Sequence, residues 1–288
     1  MRTPSRKKGK PGKGPSRPPV KESPTSVKKK NVTAPGRKRH QRTDIVGPAT
    51  SVRLNKAIAD AGIASRRAAD DLILSGRVTI NRKVCKDLGT KVGIEDVVAV
   101  NGEPITRTKH LTYVLLNKPK DVITTSSDEM GRKTVFDIVK IHQRLFTVGR
   151  LDRNTTGVLL ITNDGELANR LMHPRYEIPR MYKAGLDRPL EPKHARLIAS
   201  GVELDDGPTQ PCMVTIDPKN QRAVYVELAE GRNREVRRLF EHFGYDVRRL
   251  DRKQYGILTT RGLARGEYRH LTRDEIAELR ALVKLKSL

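Results

Sequence analysis

Residues Gly149–Met172 read GRLDRNTTGVLLITNDGELANRLM. A glycine-bounded turn carries Asp152, with Arg153 beside it and Arg150 two residues before it. Val158–Thr162 has the length and apolar, β-branched content of a buried strand. Asn163-Asp164-Gly165 then makes a turn, and Leu167, Ala168, Leu171 and Met172 keep helical spacing, with Asp164 placed to cap their helix. Upstream, Tyr113–Pro119 reads as a strand entering a turn. Downstream come strand-like runs at 212–216 and 223–228, a helix at about 233–243, and a charged helix from Arg273 to about Lys284. Strands outnumber helices and do not alternate with them, which predicts an α+β domain over 111–288 with a mostly antiparallel sheet.

Residues 51–107 read as a smaller α+β module. Leu54, Ala57, Ile58 and Ala61 share a helix face that Gly62 ends, and Ser65 caps a second helix carrying Ala68, Ala69, Leu72 and Ile73 up to Gly76. Short strands follow at 78–80 and 97–100, with turns at 81–83 and 101–102. Arg66 and Arg67 stand in the first turn of the second helix, where the helix dipole disfavours cations by some tenths of a kcal/mol. An RNA phosphate there converts the conflict into attraction, and Arg53, Lys56, Arg77, Arg82 and Lys83 extend the basic surface. The stretch RLNKAIADAGIASRRAADDLILSGRVTINRKV resembles an S4 domain, a small RNA-binding module.

The first 50 residues hold 15 Lys and Arg against Glu22 and Asp44, a net of +13, with 8 of the 17 prolines. Such a segment buries too little apolar surface to offset its chain entropy. It is expected to be a disordered basic tail, either inert or adding nonspecific phosphate contacts. The whole chain carries +25 over 288 residues, a balance that points to a polyanionic partner. No apolar run approaches the ~18–20 residues of a membrane span. Cys85 and Cys212 match no metal or redox spacing, and the seven histidines are scattered, so no metal site is expected and a reducing, cytoplasmic setting is.

A lone aspartate among arginines admits several readings. Asp152-x-Asn154-x-Thr156-Gly157 imitates the opening of a calcium loop, but the twelfth place is Asn163 rather than a bidentate glutamate. Glycoside hydrolysis needs a second carboxylate, and the nearest acids, Asp164 and Glu166, sit beyond a strand at a helix start. A structural role, bonding its own turn or pairing with Arg150, remains open. A second stretch bears on the choice: Glu230-Gly231-Arg232-Asn233-Arg234-Glu235-Val236-Arg237-Arg238-Leu239-Phe240. Val236, Leu239, Phe240 and Phe243 form one helical stripe, Arg237 lies on its flank, and Arg234 and Arg238 point farther away. A half-buried Arg237 needs a carboxylate, and Asp152 is the acid available; such a partner favours the ionised form a nucleophile requires.

Together with LNKPKDVITTSSD, VGRLDRNTTGVLLITNDGELANRLMHP, EGRNREVRRLF and GLARGEYRHLT, these stretches resemble the RsuA/RluB family of pseudouridine synthases. The resemblance implies an S4 domain joined to an α+β catalytic domain on a mixed, largely antiparallel sheet. It also implies a reaction that breaks the N-glycosidic bond of a uridine in ribosomal RNA and rejoins the uracil through C5, without cofactor or metal. The catalytic aspartate then falls on Asp152, the active-site tyrosine on Tyr182 in EIPRMYKAGL, and the basic partner on Arg237. Arg150, Arg153, Arg232, Arg234 and Arg238 are candidate RNA contacts, each also readable as a solvated arginine. Two departures stand out: Lys183-Ala184-Gly185 follows the tyrosine where a valine-bearing strand is usual, and Glu235 replaces a frequent Gln, a change expected to bear little on chemistry. TNDGELANRLMHPRYEIPRMY is most similar to the RluB branch, which implies large-subunit (23S) rRNA, free or in a pre-ribosomal particle; a monomer off the membrane is expected. Small-subunit (16S) rRNA is the alternative substrate, and a noncatalytic rRNA-binding assembly factor the alternative class.

Overall fold

A computed structural model describes residues 51–106, 110–126 and 128–286; the tail expected over 1–50 lies outside the described residues. The N-terminal module opens with α1 (Leu54–Asp60) and α2 (Arg66–Leu74). Ser65 caps α2 as its sequence position suggests, its hydroxyl accepting the Ala68 N–H at 3.0 Å. Strands β1 (Val78–Ile80), β2 (Lys83–Val84), β3 (Val98–Val100) and β4 (Glu103–Pro104) form an antiparallel sheet in the order β2-β1-β3-β4. The β1–β2 turn places Asn81 and Arg82 at positive φ, 50° and 68°, the tight-hairpin geometry that matches strand twist. Leu54, Ala57, Ile58, Ala69, Ile73, Val78, Val98 and Val100 close a core between helices and sheet.

The larger domain runs β5 (Tyr113–Lys118), β6 (Thr155–Thr162), α3 (Gly165–Met172), β7 (Arg180–Leu186), α4 (Pro192–Ser200), β8 (Met213–Asp217), β9 (Asn220–Leu228), α5 (Glu235–Glu241), β10 (Val247–Tyr255), β11 (Tyr268–His270) and α6 (Arg273–Leu282). The sheet order is β8-β9-β7-β10-β6-β5-β11, with short strands 258–259 and 146–147 beside β10 and β6. Among the described residues, β6 and β10 are its one parallel pairing, so the sheet is mixed and mostly antiparallel. The unbroken apolar runs of β5 and β6 follow from burial on both faces. Tyr113, Leu115, Val158 and Leu160 pack with Leu167, Leu171 and Leu279 of α3 and α6, whereas Val114, Leu116, Leu159 and Ile161 pack with Val122, Val135, Val139 and Leu151. Farther along the sheet, Val236, Leu239 and Phe240 of α5 pack with Ala195 and Ile198 of α4 and with Val224, Val226 and Leu250. No helix of the described residues is long and apolar enough to cross a membrane.

The structure departs from the sequence expectation at β6, which begins at Thr155, inside the turn motif, rather than at Val158. The cause is the parallel pairing, in which Thr155, Thr156 and Gly157 align with Leu250, Asp251 and Arg252. Gly157 has φ +108°, and a Cβ there would lie 2.1 Å from the Arg252 carbonyl oxygen and 2.8 Å from its nitrogen. Backbone cannot retreat as a side chain can. Gly157→Ala is therefore expected to lower unfolding free energy by about 3 kcal/mol through strain and overpacking; a urea midpoint unchanged from the parent would refute this close approach.

Candidate active site

The turn bearing Asp152 is held from beneath. Lys118, the last residue of β5, is 0% exposed, and its ammonium donates toward the carbonyls of Pro119, Asp152 and Arg153 at 3.1 Å and of Thr155 at 2.9 Å. The Thr155 N–H closes the turn on the Asp152 carbonyl at 3.0 Å. The Thr124 hydroxyl donates to the Leu151 carbonyl at 2.7 Å, and Leu151 is itself buried as an apolar anchor. Every backbone group so engaged points inward, which leaves the Asp152 side chain facing out, 43% exposed. Burial lowers the Lys118 ammonium to about 8, against the opposing charges of Asp152 and Asp121.

Two guanidinia meet the carboxylate. Arg237 Nε and Arg234 Nη1 each lie 3.8 Å from Asp152 Oδ2, close enough for an ion pair but longer than a hydrogen bond. Arg237 is 12% exposed and anchored by Nη1 donating to the Val247 carbonyl at 2.7 Å; its Nε is buried without a hydrogen-bond partner. Arg234 contradicts the helical-wheel expectation that it points away. It precedes α5 with a left-handed backbone, φ 48°, so the 100° step of a helix does not govern it.

The three candidate catalytic residues converge. Tyr182 on β7 lies beside Val226 and Arg252 in register and packs at the junction of the two cores on that sheet face. With Asp152, Thr155, Leu228, Glu235 and Leu250 it lines a small pocket of about 80 Å³. That pocket adjoins a groove of about 1160 Å³ bordered by Arg150, Asp152, Arg153, Arg234, Arg237 and Arg248 among others.

The remaining candidate cations divide into two groups. Arg150 and Arg153 are exposed at the groove, Arg153 at 3.3 Å from Asp121. Arg53, Arg66, Arg67, Arg77, Arg82 and Lys83 are exposed on the smaller module, and Lys56 pairs with Asp60 at 2.6 Å. Arg232 and Arg238, by contrast, are spent within the protein. Arg232 donates to Glu230 at 2.8 Å and to the Gly207 carbonyl at 2.9 Å, and Arg238 holds both oxygens of Asp206 at 2.8 Å. These two guanidinia fix the loop before α5.

Three neighbours of the site escaped the sequence reading, Lys118, Arg180 and Arg252, and Glu235 entered it only as a departure expected to bear little on chemistry. Arg252 is buried, donating to the Val158 carbonyl at 2.8 Å and stacking 4.8 Å from the Tyr255 ring, and Arg180 donates to the Ala229 carbonyl at 3.1 Å. The one sequence signal was a lysine closing the apolar run YVLLNK. His142 and Arg144 also went unnoticed; with Lys56 and Arg66 they line a cleft of about 450 Å³ between the two modules.

A basic S4-like module beside a mixed sheet, with one carboxylate set among arginines over a small aromatic-walled pocket, defines a class of enzyme that acts on a single nucleotide of RNA. Residues 52–98 match the S4 domain and residues 112–242 the RNA pseudouridylate synthase family. The chain is 46% identical over 236 residues to "Ribosomal large subunit pseudouridine synthase B" of Bacillus subtilis, covering 80% of this chain and 96% of that protein. It is 36% identical over 243 residues to "Dual-specificity RNA pseudouridine synthase RluF" of Escherichia coli K12, covering 83% and 82%. A crystal structure of a pseudouridylate synthase aligns with a TM-score of 0.59 at 30% identity, over 79% of this chain and 99% of that one. The chain belongs to the RNA pseudouridylate synthase family, and is an isomerase that converts uridine to pseudouridine.

Proposed function

We propose that the chain isomerises one uridine of large-subunit (23S) ribosomal RNA, with Asp152 acting at the ribose, Tyr182 packing on the uracil and Arg237 partnering the carboxylate. The observation that carries this reading is the meeting of Asp152 Oδ2 with Arg234 and Arg237, each at 3.8 Å, beside the pocket lined by Tyr182. A uridine must leave its stack to enter, at a cost of a few kcal/mol that an aromatic face and phosphate contacts offset. The N1–C1′ bond then breaks, the uracil turns within the pocket, a C5–C1′ bond forms and the C5 proton departs with assistance from Tyr182. Asp152 supports either entry to this sequence, attack on C1′ or removal of the 2′ proton.

Arg150, Arg153 and Arg234 hold the backbone of the flipped nucleotide. An S4 module over 51–107 supplies a second grip through Arg53, Lys56, Arg66, Arg67, Arg77, Arg82 and Lys83, and the catalytic domain spans 111–288. A ribosomal RNA substrate supports a cytoplasmic setting, and the enzyme is read as acting as a monomer there. The name of the Bacillus relative supports the large-subunit assignment. Pseudouridine mapping of both rRNAs in a strain lacking the gene is expected to show loss of a single 23S position. Loss of a 16S position instead would transfer the substrate to the small subunit.

A further inference from the structure

Behind the pocket wall lies a pair of acids that the reaction as described does not use. Glu235, the first residue of α5, is 4% exposed. One of its oxygens accepts the Arg232 N–H at 3.0 Å, and the other, Oε1, is buried without a donor. Arg232 brings the two acids together, its backbone N–H donating to Glu235 and its Nε to Glu230, and two adjacent carboxyls can share a hydrogen bond only with a proton between them. Glu230 is the partner suited to charge: it already accepts the Gln210 N–H and Arg232 Nε, each at 2.8 Å. Both acids line the pocket that contains Asp152 and Tyr182.

Resting on the reading of that pocket as the uridine site, we propose that Glu235 is a positioning residue for the reaction. In its protonated form it donates to Glu230, ties the end of β9 to α5, and so holds the 229–234 loop, with Gly231 and Arg234, against Asp152. The loop is also held from outside by Arg180, Arg232 and Arg238. Arg180 packs under Gly231, its Cζ 3.2 Å from where a Cβ would stand. Arg232 spans Glu230 and the 203–208 hairpin. The Glu230–Glu235 bond joins the two ends of the loop directly.

Burial raises the Glu235 carboxyl to about 7, reinforced by the adjacent Glu230 and opposed by the Arg232 N–H. Burial pushes Glu230 up as well, but its bonds from Gln210, Arg232 and Glu235 carry it below the usual range. The other groups facing Glu235 do not change charge near neutrality: Arg232 and Arg238 stay cationic, Asp206 is held down to about 2 chiefly by Arg238, and burial lifts the Cys212 thiol to about 11. Across the pocket stand Arg150, Asp152, Tyr182 and Arg234. The sign follows: below pH ~7 the proton is present and the loop is held, and above it two carboxylates oppose each other in a buried site, which releases the loop.

Single-turnover tritium release from a 23S transcript made with 5-tritiated uridine, from pH 6 to 8.5, tests this with the full chain. The parent is expected to lose rate about tenfold per pH unit above ~7, as for one ionising proton. Glu235→Gln, whose amide always donates to Glu230, is expected to stay within about threefold of the parent at pH 6.5 and to keep that rate up to pH 8. Glu235→Ala is expected to be slow throughout. The same fall in E235Q as in the parent, a parent profile flat to pH 8, or an E235Q that melts normally yet is inactive at pH 6.5 would each overturn the proposal. Failure of the uridine-site reading itself shows differently, as no release by the parent at any pH.

Discussion

Asp152→Asn is expected to cut tritium release from 5-tritiated uridine by about a thousandfold or more while leaving rRNA affinity and melting temperature close to the parent's. The substitution is nearly isosteric, and every contact that holds the turn is made by backbone carbonyls and N–H groups rather than by the carboxylate. The side chain is 43% exposed and touches Arg234 and Arg237 only at 3.8 Å, so removing its charge costs little stability. Binding rests on cations spread over the groove and the smaller module. A neutral amide can neither attack C1′ nor take the proton from C2′, and this confines the loss to turnover. Turnover by the Asn variant equal to the parent's would remove Asp152 from the chemistry.

Lys118→Met carries the next largest expectation, a fall of about a hundredfold in turnover with a much smaller change in stability. Two opposing effects nearly cancel in the folding energy. A buried ammonium is costly, and its replacement by an apolar chain of similar length relieves that cost. The carbonyls of Pro119, Asp152, Arg153 and Thr155 at the same time lose their shared donor. What does not cancel is geometry: without the ammonium the turn keeps the Thr155 N–H on the Asp152 carbonyl but loses the donor its four carbonyls share, and the turn that aims Asp152 relaxes. A misplacement of about 1 Å can cost on the order of a hundredfold in rate.

The lysine's own titration adds a directional check. Its folded-state value of about 8 lies below the unfolded one, so the stability contributed by this site rises with pH between ~8 and ~10.5. Activity moves the opposite way over the same range, because the neutral amine has lost one of its three donors. Parent-like turnover in the Met variant, or stability and activity rising together above pH 8, would show that the turn does not depend on this cation.

Much of this was legible because it is local. The Ser65 cap, the α5 stripe of Val236, Leu239 and Phe240, the β5 and β6 runs and the turn around Asp152 depend on residues within a few positions of one another. Backbone geometry makes such spacings readable. Strands β7 and β10 were harder. VRRLDRKQY looks like a solvated segment, yet β10 lies inside the sheet with Arg252 buried against the Val158 carbonyl and the Tyr255 ring. The expectation that an acid at 235 bears little on chemistry also depended on the environment. Composition could not reveal that the residue is buried against Glu230.

The amino-acid order by itself determined that Asp152 sits in a tight turn before a buried strand, that Arg237 flanks the apolar stripe of α5, and that a basic helical module precedes both. Only the tertiary structure decided that Arg234 joins Arg237 at the carboxylate, that Arg232 and Arg238 turn inward to Glu230 and Asp206, and that Lys118 gathers carbonyls up to 37 residues away. A turn or a helix face is set by neighbouring dihedral angles. The partner of a charge is set by the closure of β6 on β10 and the docking of α5 over the sheet, contacts between segments that lie far apart in the chain.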